Sequence, residues 1–123
     1  MEKNLISKVV EDVKKIEKVN AVFLFGSYAK GTNKPYSDID ICIVADDLTK
    51  NERREILTNS SERLDISIFS DLLPLIQYRV IKDGKIFFHK DWLKLHRLKA
   101  KTIKEYLDFK HLLDMHIKYT LTV

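Results

Sequence analysis

The chain has 123 residues, of which 45% are hydrophobic and 33% are charged, with a formal net charge of +4. This length fits a single domain, and the apolar content with so small a net charge excludes an intrinsically disordered chain. No apolar run approaches the roughly 20 residues that cross a bilayer. The one cysteine excludes an internal disulfide and a zinc cage of thiolates. We therefore expect a cytoplasmic protein, and the N-terminal segment lacks the small-residue cleavage site of a signal peptide.

Helices and strands alternate in the predicted order of elements. Apolar residues at helical spacing predict a first helix over residues 4–18, and the apolar run 21–25 predicts a strand buried on both faces. Residues 26–36 form a predicted turn that contains one short helical turn. Alternating isoleucines predict a second strand over residues 38–45, and a charged helix is predicted to follow over 50–59.

The second half of the chain continues this alternation. A third strand is predicted over residues 63–69, and a helix follows it from an N-cap at 70–71 to about 82. A fourth strand is predicted over 85–89, and a helical tail begins at about 91. The tail is compatible with one long helix or two. We predict a single domain over residues 1–123, of the α/β (α+β) class, with a small mixed sheet packed by helices.

The most informative segment is LFGSYAKGTNKPYSDIDICIV, residues 24–44. Gly26 and Ser27 directly follow a predicted buried strand and open the predicted helical turn. Glycine lets the backbone approach a phosphate closely, and free N–H groups at the start of a helical turn favour an anion. The Ser27 hydroxyl adds a donor, so this turn is a candidate phosphate site.

Three aspartates are candidate metal ligands. Asp38 and Asp40 are two residues apart on a predicted strand, so their carboxylates point to the same face. Asp65 lies on the polar face of another alternating strand. If the two strands are neighbours, the three carboxylates converge beside the glycine-serine turn. Carboxylates suit Mg²⁺, and a pair of such ions can clamp the attacking and leaving oxygens of a phosphoryl transfer.

The pattern GS, ten residues, DxD, which spans Gly26 to Asp40, resembles the signature of the polymerase-beta-type nucleotidyltransferases. The short chain and the segment LIQYRVIKDGKIFFHKD are similar to the minimal nucleotidyltransferases, or MNT proteins. The resemblance covers residues 23 to about 92. It implies the nucleotidyltransferase fold and ATP as a substrate, with two Mg²⁺ ions as cofactors.

The resemblance also implies roles for individual residues. Gly26 and Ser27 would hold the β- and γ-phosphates, while Asp38 and Asp40 would bind both metal ions. Asp65 would ligate the metal on the acceptor side and help to deprotonate the acceptor hydroxyl. From its position in the loop alone, Lys30 is either a further phosphate contact or a solvated charge.

MNT proteins are commonly encoded beside HEPN proteins, as the antitoxins of toxin–antitoxin pairs. The reaction that the resemblance implies is transfer of AMP from ATP to a tyrosine of a HEPN RNase toxin. Two alternatives stay open, namely an antitoxin that neutralises the toxin by binding alone, and transfer to a small molecule such as an aminoglycoside. A template-directed polymerase is disfavoured because 123 residues leave no room for a domain that grips a duplex.

Four further features have two interpretations each. Cys42 fits a small buried hydrophobe better than a nucleophile. Arg79 is either a snorkelling residue at the edge of the core or a nucleotide or partner contact. The basic stretch 94–104 is a solvated helix face in preference to a nucleic-acid patch. The apolar stripe of the C-terminal helix either packs internally or docks onto a helical partner.

Overall fold

The computed structural model describes residues 2–32, 34 and 37–121, so three positions of the predicted 26–36 turn, at 33, 35 and 36, lie outside the described residues. The described strands are β1 (Val19–Phe25), β2 (Ile39–Ala45), β3 (Leu64–Ile68) and β4 (Lys85–His89). They form one sheet in the order β3-β2-β1-β4. β1 pairs antiparallel with β2 and β4, whereas β2 and β3 are parallel. The predicted small mixed sheet is confirmed.

Helices connect these strands and pack on both faces of the sheet. The described helices are α1 (Glu2–Val13), α2 (Ser27–Lys30), α3 (Lys50–Leu57), α4 (Pro74–Asp83) and α5 (Trp92–Leu121), with a 3-10 helix at Phe69–Asp71. None of the helices in the described part of the chain combines the length and the apolar character that crossing a bilayer requires.

Two apolar layers sandwich the sheet. On one face, α1 and α3 contribute buried side chains such as Val9, Val13 and Ile56 to a cluster with the isoleucines of β2 and β3. On the other face, α4 and α5 contribute Val80 and Leu95. The two central strands are therefore buried on both sides, which explains why β1 is a nearly continuous apolar run.

The first helix is shorter than its apolar spacing predicts. α1 ends at Val13, and turns carry the chain onward through hydrogen bonds from Ile16 N to Val13 O at 3.0 Å and from Val19 N to Ile16 O at 3.0 Å. Ile16 is buried from a turn, so its helical spacing was misleading. The strand also begins at Val19 instead of residue 21, because buried Asn20 accepts a hydrogen bond from the backbone N–H of Asp91.

The start of the fourth α-helix also differs from the prediction. Ser70 and Asp71 do not cap it, because they lie within the 3-10 helix Phe69–Asp71 and Asp71 pairs with Arg53. α4 begins at Pro74 after an extended Leu73, in line with the preference of proline for the first helical position. The helical tail is one continuous helix, the first of the two predicted alternatives.

Candidate active site

Gly26 lies at the junction of β1 and α2 and has an unusual backbone conformation, with φ 75° and ψ −151°. A Cβ at this position would overlap the carboxylate of Asp40. The glycine therefore lets the backbone come directly against a carboxylate, an approach that the sequence interpretation had assigned to a phosphate. The short helical turn predicted after Gly26 is present as α2, and it ends at Gly31 in the left-handed conformation.

Asp40 and Asp65 are brought together by the parallel pairing of β2 and β3, in which they are register partners. The pKa of Asp40 is raised from 3.8 to about 6, first by burial and then by the charges of Asp65 and Asp38 and a hydrogen bond with Asp65. Asp38 is exposed and directly precedes β2, which begins at Ile39. The prediction that the strand includes Asp38 is therefore wrong by one residue. The three predicted carboxylates thus form one electrostatic group, with Asp40 at its centre.

The oxygen donors of this group fit a hard cation such as Mg²⁺. Burial and two neighbouring carboxylates raise the pKa of Asp40, and a bound cation would act in the opposite direction. Within residues 2–32, 34 and 37–121, no three His, Cys, Asp or Glu side chains are already arranged as a cage for a metal ion. A cation here would need further oxygen ligands from a substrate, as is usual for Mg²⁺ in phosphate-transferring sites.

The loop side of the site holds the other predicted residues. Ser27 is half-buried at the start of α2. Lys30 is exposed at the end of α2, and its Nζ lies 3.7 Å from Oδ2 of Asp83 on α4. The sequence interpretation missed this ion pair, because residues 53 positions apart give no local signal of contact.

A second contact that the sequence did not indicate anchors α2 to the acidic side of the site. The Arg63 guanidinium donates a hydrogen bond of 2.8 Å to the Tyr28 hydroxyl. Arg63 directly precedes β3, the strand that carries Asp65. This bond therefore links the glycine-serine turn to the third carboxylate. The only signal of this contact in the sequence was that Arg63, a cation, lies two residues before the candidate metal ligand Asp65.

Cys42 has no accessible surface. Its burial raises the pKa of the thiol well above the usual value, which keeps the sulfur protonated. It lies in the apolar layer with Phe23 and Val80. The prediction of a small buried hydrophobe is confirmed.

Three lysines of the basic stretch of α5 are paired with acidic side chains. Lys94 contacts Asp46 at 2.5 Å, Lys104 contacts Asp108 at 3.0 Å and Lys101 contacts Glu105 at 3.9 Å, the last two pairs being one helical turn apart. Such exposed pairs are typical of a solvated helix face. The arrangement favours that interpretation over a nucleic-acid patch.

Relatives with assigned names align with part of the chain. A Methanocaldococcus jannaschii protein provisionally named a protein adenylyltransferase is 41% identical over 73 residues, which are 59% of this chain and 58% of the relative. The protein adenylyltransferase MntA of Shewanella oneidensis is 37% identical over 76 residues, which are 61% of this chain and 52% of MntA. The alignments thus span little more than half the length of these relatives.

Solved structures share the fold across almost the whole chain. A crystal structure of a toxin–antitoxin with AMP-PNP matches with a TM-score of 0.74 and 26% identity, covering 98% of this chain and 99% of the other. The Shewanella oneidensis structure of a tri-AMPylated HEPN toxin in complex with MNT antitoxin matches with a TM-score of 0.71 and 23% identity, covering 98% and 99%.

The family suggested by the GS and DxD residues is confirmed by comparison with known families. The family described as polymerase beta, nucleotidyltransferase matches residues 7–92, which include Gly26, Asp40 and Asp65. The match takes in all four strands and ends at the start of α5. The chain therefore belongs to the polymerase beta nucleotidyltransferase family.

Proposed function

We propose that this protein transfers AMP from ATP to a hydroxyl group of a HEPN-family toxin, in the first place a tyrosine, and thereby acts as an antitoxin. The observation that carries the proposal is the meeting of Asp40 and Asp65 against the Gly26 turn. Family membership and the relatives named protein adenylyltransferases support the same chemistry. The single buried cysteine suits a reducing cytoplasm.

The reaction is an in-line displacement at the α-phosphorus of ATP. The tyrosine oxygen forms a bond to this phosphorus, and the bond to the oxygen that bridges to the β-phosphate breaks, so pyrophosphate leaves. Asp65 takes up the proton of the tyrosine hydroxyl. Asp38 and Asp40 would hold Mg²⁺, which when bound neutralises phosphate charge and orients the reacting oxygens.

The other side of the site positions the nucleotide. Gly26 brings backbone close to the carboxylates without a side chain in the way. The Ser27 hydroxyl and the Lys30 ammonium would contact the β- and γ-phosphates. Because phosphoryl transfer depends mainly on positioning and charge neutralisation, these contacts and the carboxylates together account for catalysis.

The second half of α5 is the proposed docking surface for the toxin. From residue 107 onward the described side chains of this helix are exposed. Several are large and apolar, namely Leu107, Phe109, Leu112, Leu113, Met115 and Ile117. The matched chain of the toxin–antitoxin structure with AMP-PNP aligns with 98% of this chain, so the shared fold includes this helix. An exposed apolar helix face of this kind fits a helical partner.

A transfer assay tests the proposed chemistry. The protein is incubated with its cognate HEPN toxin, Mg²⁺ and ATP labelled at the α-phosphate. We expect label on the toxin, and we expect Asp38→Asn and Asp40→Asn to reduce transfer by at least a hundredfold, because each removes a charge that positions the phosphates. Asp12→Asn, on the exposed side of α1, is the matched control and should transfer at the wild-type rate.

The same assay separates the alternatives. Inhibition of the toxin without label on it would contradict the transferase function and favour an antitoxin that acts through binding alone. Label on an aminoglycoside and none on the toxin would favour a small-molecule acceptor. Chelation with EDTA should stop transfer and added Mg²⁺ should restore it, so transfer that persists in EDTA would contradict the metal requirement.

A further inference from the structure

A cleft of about 190 Å³ opens directly beside the glycine turn, between the end of β1, α2 and α4. Its lining combines an apolar base with three charged side chains, and consists of Phe25, Gly26, Lys30, Ile76, Arg79 and Asp83. The three residues from α4 are spaced at i, i+3 and i+7, so they lie on one helix face. Gly26 belongs both to this cleft and to the carboxylate site, so the two adjoin at this residue.

Charge in the cleft is unevenly paired. Lys30 Nζ lies 3.7 Å from Oδ2 of Asp83, so the two form an ion pair near the limit of contact at the protein surface. Arg79 is exposed and has neither a hydrogen bond nor an ion pair with any residue in the described part of the chain. The cleft thus carries two cations against one anion, and one of the cations is uncommitted.

This arrangement fits a polyphosphate. The guanidinium group binds phosphate with two parallel hydrogen bonds, which makes arginine the residue suited to a terminal phosphate group. A nucleobase has no net charge to match the excess positive charge. An acidic peptide would also match it, but the cleft is lined by Gly26 of the turn that approaches the carboxylates, where the α-phosphate of a nucleotide would react.

We infer that Arg79 binds the distal phosphates of ATP in this cleft and that Asp83 holds Lys30 until the nucleotide arrives. This inference rests on the proposed use of ATP. It adds to that proposal an α4 residue, Arg79, that binds the pyrophosphate portion that leaves. It also adds a carboxylate, Asp83, that competes with this phosphate portion for Lys30. Affinity then depends on the number of phosphates and little on the base.

Calorimetric titration of the full chain with ATP, AMP and inorganic tripolyphosphate in the presence of Mg²⁺ tests the inference. We expect Arg79→Ala to raise the Kd for ATP and for tripolyphosphate about tenfold, as loss of a charge-assisted contact does. The Kd for AMP should stay at the wild-type value, and Arg79→Lys should recover part of the lost affinity. Arg54→Ala, which removes an exposed arginine of α3, is the matched control.

A variant of opposite sign sharpens the test. Asp83→Asn removes the negative charge and frees Lys30, so ATP should bind about threefold more tightly while AMP binding stays unchanged. A purely structural role of α4 would weaken ATP and AMP together and would give no gain of affinity. Equal losses for ATP and AMP in Arg79→Ala, or no loss for either, would overturn the inference.

Binding of ATP by the wild-type chain distinguishes a failure of this inference from a failure of the proposed function. If the wild-type chain binds ATP and the Arg79→Ala variant binds it equally well, only the role of Arg79 is wrong. If the wild-type chain binds neither ATP nor tripolyphosphate, the proposed transferase function fails and the inference fails with it.

Discussion

Gly26 and Gly31 flank α2, and both have a positive φ, at 75° and 72°. Their surroundings differ, because a Cβ on Gly31 would meet no atom within 4 Å, whereas a Cβ on Gly26 would overlap Asp40. The pair separates two roles of glycine. At Gly31 only backbone conformation requires it, and at Gly26 close approach to a carboxylate requires it as well.

Alanine at the two positions should therefore give different results. We expect Gly31→Ala to lower the free energy of unfolding by about 1 kcal/mol through backbone strain and to keep most of the transfer activity. Gly26→Ala should cost about 2–3 kcal/mol and remove activity, because the added methyl displaces Asp40. Urea denaturation and the AMP transfer assay measure both effects. Equal losses of stability and of activity at the two glycines would contradict the role given to Gly26.

At the scale of elements, α5 divides into two parts. Its first half packs on the sheet and α4 through Leu95 and Leu98, and Tyr106 stacks on Tyr78 with ring centroids 4.0 Å apart. Beyond Tyr106 the described helix continues without tertiary burial. Of the apolar stripe that left two interpretations open from sequence, Tyr106 packs internally, whereas Leu107, Leu113 and Ile117 are exposed. Docking of the exposed part onto a helical partner stays a prediction.

The exposed half of α5 can be tested with a matched pair of substitutions. Leu113→Lys places a charge on the apolar stripe, and His111→Lys places the same charge on a polar position of the same helix. We expect Leu113→Lys to weaken toxin binding by at least tenfold, since buried apolar anchors dominate interfaces. Binding by His111→Lys should stay near wild type, and both variants should keep the wild-type melting temperature. Equal affinity of the two variants for the toxin would show that the exposed half of α5 is not the toxin-binding surface.

Element types were predictable from local patterns, while element ends were not. Strand periodicity correctly placed Leu64 and Ile66 inside and Asp65 outside, because the period of a strand is short and regular. The ends of the elements depended on contacts distant in sequence. Asn20, for example, is accommodated in β1 only because it pairs with Asp91, 71 residues away. Local spacing carries no information about such a partner.

Across the whole molecule, the candidate site depends on strand order. The parallel pairing of β2 and β3 sets Asp40 beside Asp65. Spacing in the sequence brought Asp40 near Gly26 through a single connection, but it left the neighbour of β2 undetermined. The convergence of the three carboxylates was therefore a conditional prediction, and sheet topology supplied the condition. Lys30, Arg79 and Asp83 meet only through the packing of α4, which no pattern in the sequence indicates.

The acidic site should destabilise the metal-free protein as pH rises. Burial and the neighbouring carboxylates together raise the pKa of Asp40 from 3.8 to about 6, so the folded state keeps a proton that the unfolded state has lost. The stabilisation is complete below about pH 4 and is lost as the pH rises through 6. Because Asp40 is partly exposed, we expect a loss of about 1 kcal/mol by pH 7.5, after allowance for solvent screening.

Urea denaturation in EDTA at pH 4.5 and pH 7.5 measures this effect. The free energy of unfolding of Asp40→Asn, measured relative to wild type, should be about 1 kcal/mol higher at pH 7.5 than at pH 4.5. Mg²⁺ should stabilise the wild-type protein more at pH 7.5 than at pH 4.5, because it competes with the proton for the carboxylate. A difference between wild type and Asp40→Asn that is constant across pH would show that Asp40 titrates alike in the folded and unfolded states.

The sealed position of Cys42 also provides a probe of the whole fold. It is the only cysteine in the chain, and it lies on the central strand β2 beneath the layer formed by α4 and α5. A thiol reagent can reach it only in molecules whose helical layer has lifted from the sheet. The rate of alkylation therefore counts these openings, and any ligand that locks α4 onto the nucleotide turn should slow it without an engineered label.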